Sequence, residues 1–110
     1  VHEVGVGNCI GSNIYISYGK ENKGKLHIYE FENCIFDGCG FHGIIFDFFE
    51  TDATVILKNC KFINISNSVF NASTSKSKIT IYYDKEDTFE GQKMYYDKKT
   101  EERITLEKLK

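Results

Sequence analysis

The chain has 110 residues, enough for one domain, with 41% apolar residues and a formal net charge of −2. Its Lys and Arg residues are scattered rather than gathered into a stripe, which argues against nucleic-acid binding. No apolar run reaches the ~18 residues that a membrane span requires. Seven Tyr, nine Phe, many Ile and very little Ala weigh toward strands over helices.

Residues 1–7 read as a lead-in strand. Val1 opens no basic stretch followed by an apolar one, so the chain reads as a mature segment or a piece of something longer. A first coil is expected from Asn8 to Glu32, with a strand at Asn13–Tyr18, a polar turn at Gly19–Lys25 and a strand at Leu26–Phe31. The next coil starts at Asn33. It holds Cys34-Ile-Phe36, a turn at Asp37-Gly38, the strongly apolar Phe41–Phe49, a turn at Glu50-Thr-Asp52 and the strand Thr54–Leu57. The third repeats that plan from Asn59, through Cys60-Lys-Phe62, Ile65–Phe70, a turn at Ser73–Lys78 and the strand Ile79–Tyr83.

What ties these coils together is Asn-Cys at Asn8-Cys9, Asn33-Cys34 and Asn59-Cys60, at intervals of 25 and 26 residues. A period of this length built from short strands predicts one coil per repeat of a parallel β-solenoid. The inward set Val55, Leu57, then Cys60, Phe62 skips one step at Lys58-Asn59, the mark of a corner. Asn suits a corner because it tolerates the left-handed conformation, and stacked Asn amides can hydrogen-bond along the axis.

Beyond Asp84 the composition changes: fifteen of the last 27 residues are charged. Thr88-Phe89 and Met94-Tyr95-Tyr96 are expected to form an irregular fourth coil. Thr100–Lys110 follows as a strand or a short helix that caps the open end. The domain plan is therefore coils over 1–83, with starts near 8, 33 and 59, and an irregular last coil with a charged cap over 84–110.

The four cysteines allow two readings. Cys9, Cys34 and Cys60 share one position of successive coils and would stack as buried thiols about one strand spacing (~4.8 Å) apart. A disulfide among the four, Cys39 included, is the other reading. Cys39-x-x-His42 lacks a second half-site for zinc.

Thr54-Val-Ile-Leu-Lys-Asn-Cys-Lys-Phe-Ile-Asn-Ile-Ser-Asn-Ser68, with Glu30–Gly38 as a second copy, resembles the coils of right-handed parallel β-helix proteins of the pectate-lyase-like superfamily. It is similar in particular to the Cys-x-Phe-x-Asn repeats of polymorphic outer-membrane proteins and related protist surface proteins. The resemblance covers roughly residues 8–83. It implies an all-β right-handed parallel β-helix of about three to four coils in an extracellular or cell-surface setting, and no particular activity.

For sugar hydrolysis the carboxylate candidates are Asp37, Asp47, Glu50 and Asp52, each read more readily as a turn or solvated residue. Arg103, the single arginine, sits in the expected cap rather than on a coil, and Ser66, Ser68 and Ser73 have no evident catalytic partner. No catalytic, metal or cofactor residue is therefore assigned. The run Gly40–Phe49 is too apolar for a narrow interior, so some of Phe41, Ile45, Phe46, Phe48 and Phe49 are expected to face outward, covered by a neighbouring segment or offered to a partner. Asn64 and Asn71 open N-glycosylation sequons. Tyr82-Tyr83 and Tyr95-Tyr96 suit sugar stacking or half-buried strand positions. The functional expectation is a structural or adhesive platform that binds a protein or a glycan. The alternative is a fragment of a polysaccharide-degrading enzyme whose catalytic coils lie elsewhere. A β-sandwich in which the period is coincidence is a third reading.

Overall fold

The computed structural model describes residues 12–18, 27–37, 42–48 and 52–109, with backbone alone over 12–18 and 47–48. Among the described residues, nine strands and one short helix run in the order β1 (Ser12–Tyr18), β2 (His27–Glu32), β3 (Ile35–Asp37), β4 (His42–Phe48), β5 (Ala53–Lys58), β6 (Lys61–Asn71), β7 (Ile79–Tyr83), β8 (Thr88–Tyr95), α1 (Lys98–Arg103) and β9 (Ile104–Lys108). They form an all-β fold of two sheets. One has the order β1-β4-β6-β3 with β8 also on β6, and the other β2-β5-β7-β9.

Every described pairing is parallel. Its register follows the sequence period. Ala53 pairs with Ile79 and His27 with Ala53, each a step of 26 residues, and Ile79 pairs with Ile104 after 25. Ile35 pairs with Lys61 and His42 with Ser68, again 26 apart. The C-terminal stretch supplies a strand to each sheet. β8 slips against β6, with a step of 27 residues at Lys61↔Thr88 and 25 at Ser68↔Lys93. α1 begins two residues before Thr100 because Asp97 caps it, its Oδ1 accepting from the Thr100 backbone N–H at 2.8 Å.

Period-2 alternation decides which side chains go inside. Along β5, Ala53, Val55 and Leu57 are buried and the residues between them are half-exposed. Register then places like on like in successive strands. Phe36 lies stacked on Phe62 at 4.3 Å, and Phe62 on Phe89 at 5.5 Å. Phe70 meets Phe62 edge-on at 5.6 Å. Gly43 is required by space, since a Cβ there would lie 2.7 Å from both the Phe62 ring and the Val69 carbonyl oxygen.

Two of the three Asn-Cys pairs lie among the described residues, and both sit at corners, while Asn8-Cys9 lies outside them. Asn33 and Asn59 have φ of 57° and 52°, in the left-handed region, and the Asn59 side-chain amide donates to Asn33 Oδ1 at 2.8 Å. Lys61 N–H donates to the Cys34 carbonyl and Thr88 N–H to that of Cys60, both at 2.9 Å, so the ladder continues past the corner. Cys34 and Cys60 are buried. Burial, above all, pushes the Cys60 thiol up to about 11, consistent with a small apolar filler. Cys9 and Cys39 lie outside the described residues. A third left-handed residue, Asn64 with φ 57°, bends β6, and its amide donates to Asp37 Oδ1 at 3.0 Å.

The turn between β7 and β8 has no Asn-Cys. There the turn 84–87 reaches back: Asp87 Oδ1 accepts from Cys60 N–H at 2.6 Å while its Oδ2 accepts from Asp84 N–H at 2.8 Å. Burial, followed by the nearby Asp84 charge, raises the Asp87 carboxyl to about 6 from 3.8, although both N–H donors oppose the rise. The folded chain therefore holds the Asp87 proton more tightly than the unfolded one. The stability this supplies is complete below pH ~4 and is lost as pH rises through 6. Allowing for solvent screening at this half-exposed group, the change is about 1 kcal/mol. Urea unfolding at pH 4.5 and 7 should show that loss in the parent chain and a flatter profile in Asp87→Asn; equal slopes for the two would remove Asp87 as its source.

Candidate interaction surface

On the sheet β2-β5-β7-β9 the residues between the buried ones face outward, and the register sorts them into rows across neighbouring strands. Ile28, Thr54, Thr80 and Thr105 make one row, and Glu30, Ile56, Tyr82 and Glu107 the next. Strands stand ~4.8 Å apart, so each row is a regular array. Ile28 is 56% exposed, and Ile56 and Tyr82 are half-exposed beside it. Apolar and aromatic surface at the centre is thus bordered by threonine hydroxyls and glutamate carboxylates. Such a mixture can take the apolar face of a sugar ring or a peptide side chain and hydrogen-bond its polar edge.

A third row, Glu32 and Lys58, leads into a cleft of about 380 Å³ lined by Lys58, Asp84, Lys85, Lys108 and Leu109. Lys58 forms an ion pair with Glu30 at 3.0 Å. Asp84 Oδ1 is engaged by three backbone N–H groups, those of Asn59, Glu86 and Asp87, at 3.0 to 3.3 Å. Leu109 is held at the rim by its N–H, which donates to the Tyr83 carbonyl at 2.7 Å.

The residues expected to form an apolar partner patch are placed differently from one another. Phe46 is fully buried against Phe70, at 6.1 Å between rings, because β4 turns Ile44 and Phe46 inward; it leaves the patch. Ile45 is half-buried. Phe41, Phe49 and the Phe48 side chain lie outside the described residues, as do Glu50 and the Asp47 side chain. Asn64 is exposed and Asn71 half-buried.

His42 is buried with two polar partners. Asn71 Oδ1 accepts from Ser73 N–H at 3.0 Å, which turns the Asn71 amide nitrogen toward His42 Nε2 at 3.2 Å. Nε2 is therefore the acceptor, and Nδ1–H donates to Ser68 Oγ at 2.7 Å. Burial, then Lys93, lowers the His42 pKa. Ser68 is fully buried, so this Ser-His contact gives a substrate no access and serves packing. Asp37 accepts from Asn64, and Asp52 accepts from Lys78 N–H at 2.9 Å, the work of corner and turn residues.

Sequence reasoning did not single out the outward rows. Tyr82 had drawn notice only as half of a tyrosine pair; the structure divides that pair, with Tyr82 outward and Tyr83 edge-on to Phe89 at 6.1 Å. The signal lay in Thr54, Thr80 and Thr105 at the repeat interval, visible once the register is known. Among the described residues no helix is long and apolar enough to cross a membrane. Comparison with protein-family models, curated proteins and solved structures returned no match.

Proposed function

We propose that the chain is a segment of a right-handed parallel β-helix, built into a secreted or cell-surface protein, where it works as a rigid, non-catalytic platform that binds glycan or protein. The solenoid reading is supported by strands that enter two sheets with a common 26-residue step and by left-handed Asn at equivalent corners. The observation that carries the functional reading is the outward face of β2-β5-β7-β9, where Ile56 and Tyr82 stand in register and Ile28 lies in the neighbouring row of threonines. A ligand on that face would meet side chains fixed by the ladder beneath, so little ordering entropy is lost on binding.

The labelled chain should be retained on an array of immobilised glycans or on extracellular-matrix proteins. The double substitution Ile56→Asp, Tyr82→Ala should weaken that retention about tenfold, equivalent to ~1.4 kcal/mol. Its thermal midpoint should fall only modestly, because both positions are half-exposed. Retention indifferent to the double substitution would rule out this face, and release of sugar products from polysaccharide would rule out a non-catalytic role.

A further inference from the structure

The cleft beyond the third row has a charge pattern of its own. Its single lining carboxylate, Asp84, is compensated by three backbone N–H donors. Lys58 is tied to Glu30, but both side chains are nearly half exposed, at 45% and 48%, and such a pair is readily exchanged for a better anion. Lys85 and Lys108 are exposed, and among the described residues neither has an acidic partner within salt-bridge distance. Lys58, Lys85 and Lys108 therefore border one cleft, with Glu30, Glu32 and Asp84 as the carboxylates acting on Lys58. Leu109 gives the cleft an apolar wall. Tyr82 lies two residues before Asp84 on the same stretch, ~6.6 Å along an extended chain, which is within the span of one sugar ring and its substituent.

From this geometry we infer that the cleft binds the sulfate group of a sulfated glycan whose ring packs on Tyr82 and Leu109. Lysines are point charges that approach from separate directions and suit an oxyanion offering several oxygens. The oligouronate in the titration below separates sulfate from carboxylate as the anion held. The inference rests on the platform reading, since it places the ligand's ring on that face.

Isothermal titration with four probes tests it: a heparin-type oligosaccharide, an oligouronate carrying carboxylates only, a neutral oligosaccharide of equal length, and inorganic sulfate. The sulfated oligosaccharide should bind most tightly, and more weakly as salt rises. The variant Lys85→Gln, Lys108→Gln, altered at two exposed sites that leave the ladder untouched, should bind it about tenfold less tightly. Tighter binding of the oligouronate overturns the sulfate assignment. Inorganic sulfate binding as well as the oligosaccharide overturns the sugar. Neutral-glycan binding sensitive to Tyr82→Ala, with no effect of the lysine changes on any probe, overturns the cleft and leaves the platform standing. If no glycan or matrix protein binds, the platform reading fails and the cleft with it.

Discussion

Phe62→Ala is expected to remove about 3–5 kcal/mol of folding stability, the range for deleting a fully buried ring from a core that cannot close around the gap. Three features argue for the upper part of that range. The ring is sandwiched, with Phe36 at 4.3 Å on one side and Phe89 at 5.5 Å on the other. It also meets Phe70 edge-on and fills the space over Gly43. Above and below it the neighbouring strands are fixed by the parallel ladder, so they cannot move in to fill the cavity. Domains of this size hold roughly 5–15 kcal/mol in all, so the variant should lie near its unfolding midpoint at room temperature. Phe62→Leu, which keeps most of the volume, gives a folded comparison at about 1–2 kcal/mol. Urea denaturation read by far-UV circular dichroism measures both. An alanine variant within ~1 kcal/mol of the parent would mean that the aromatic column does not hold the strands together. Gly43→Ala attacks the same spot from the other side. It should stay destabilising even with Phe62 removed, because the Val69 carbonyl is as close as the ring and belongs to the backbone.

How far the sequence makes this fold legible differs between its parts, for physical reasons. The repeat was readable because a corner needs a left-handed residue and the interior needs a small filler beside it, and Asn33-Cys34 and Asn59-Cys60 write both into two adjacent letters. Alternation along Ala53–Lys58 was equally plain, since one face is buried and the other is not. The C-terminal stretch was harder. Its strand β8 faces solvent along most of its length, so its composition reads as a charged cap. Its corner is made by Asp84 and Asp87 hydrogen-bonding to backbone, a solution that shares no letter with Asn-Cys. The choice between helix and strand at Thr100 had no single answer, because α1 ends at Arg103 and β9 starts at Ile104. The outward rows were invisible for a different reason: a half-exposed position is tolerant, so no residue type there announces a surface. Register alone brings Ile28, Thr54 and Thr80 together.

Asn59→Ala should cost about 1.5–3 kcal/mol, and comparison with Asn59→Gly separates its two sources. One source is conformational. Asn59 has φ 52°, where a Cβ without a local polar partner costs roughly 1–2 kcal/mol and glycine costs nothing of that kind. The other is the amide-to-amide bond, in which Asn59 donates to Asn33 Oδ1 at 2.8 Å; being exposed, it contributes about 0.5–1 kcal/mol. Glycine should therefore recover most of the alanine loss but fall short of the parent by the hydrogen bond, plus the entropy of the freer unfolded chain. The double-mutant cycle with Asn33→Gly isolates the bond, because glycine keeps both corners unstrained. Coupling near 0.5–1 kcal/mol in thermal unfolding is the expected value. Zero coupling, with glycine as stable as asparagine, would assign the repeated Asn to backbone conformation alone. A loss on Asn59→Ala below ~0.5 kcal/mol would contradict a left-handed corner at this position, and with it the step that carries Leu57 on β5 to Cys60 at the start of β6.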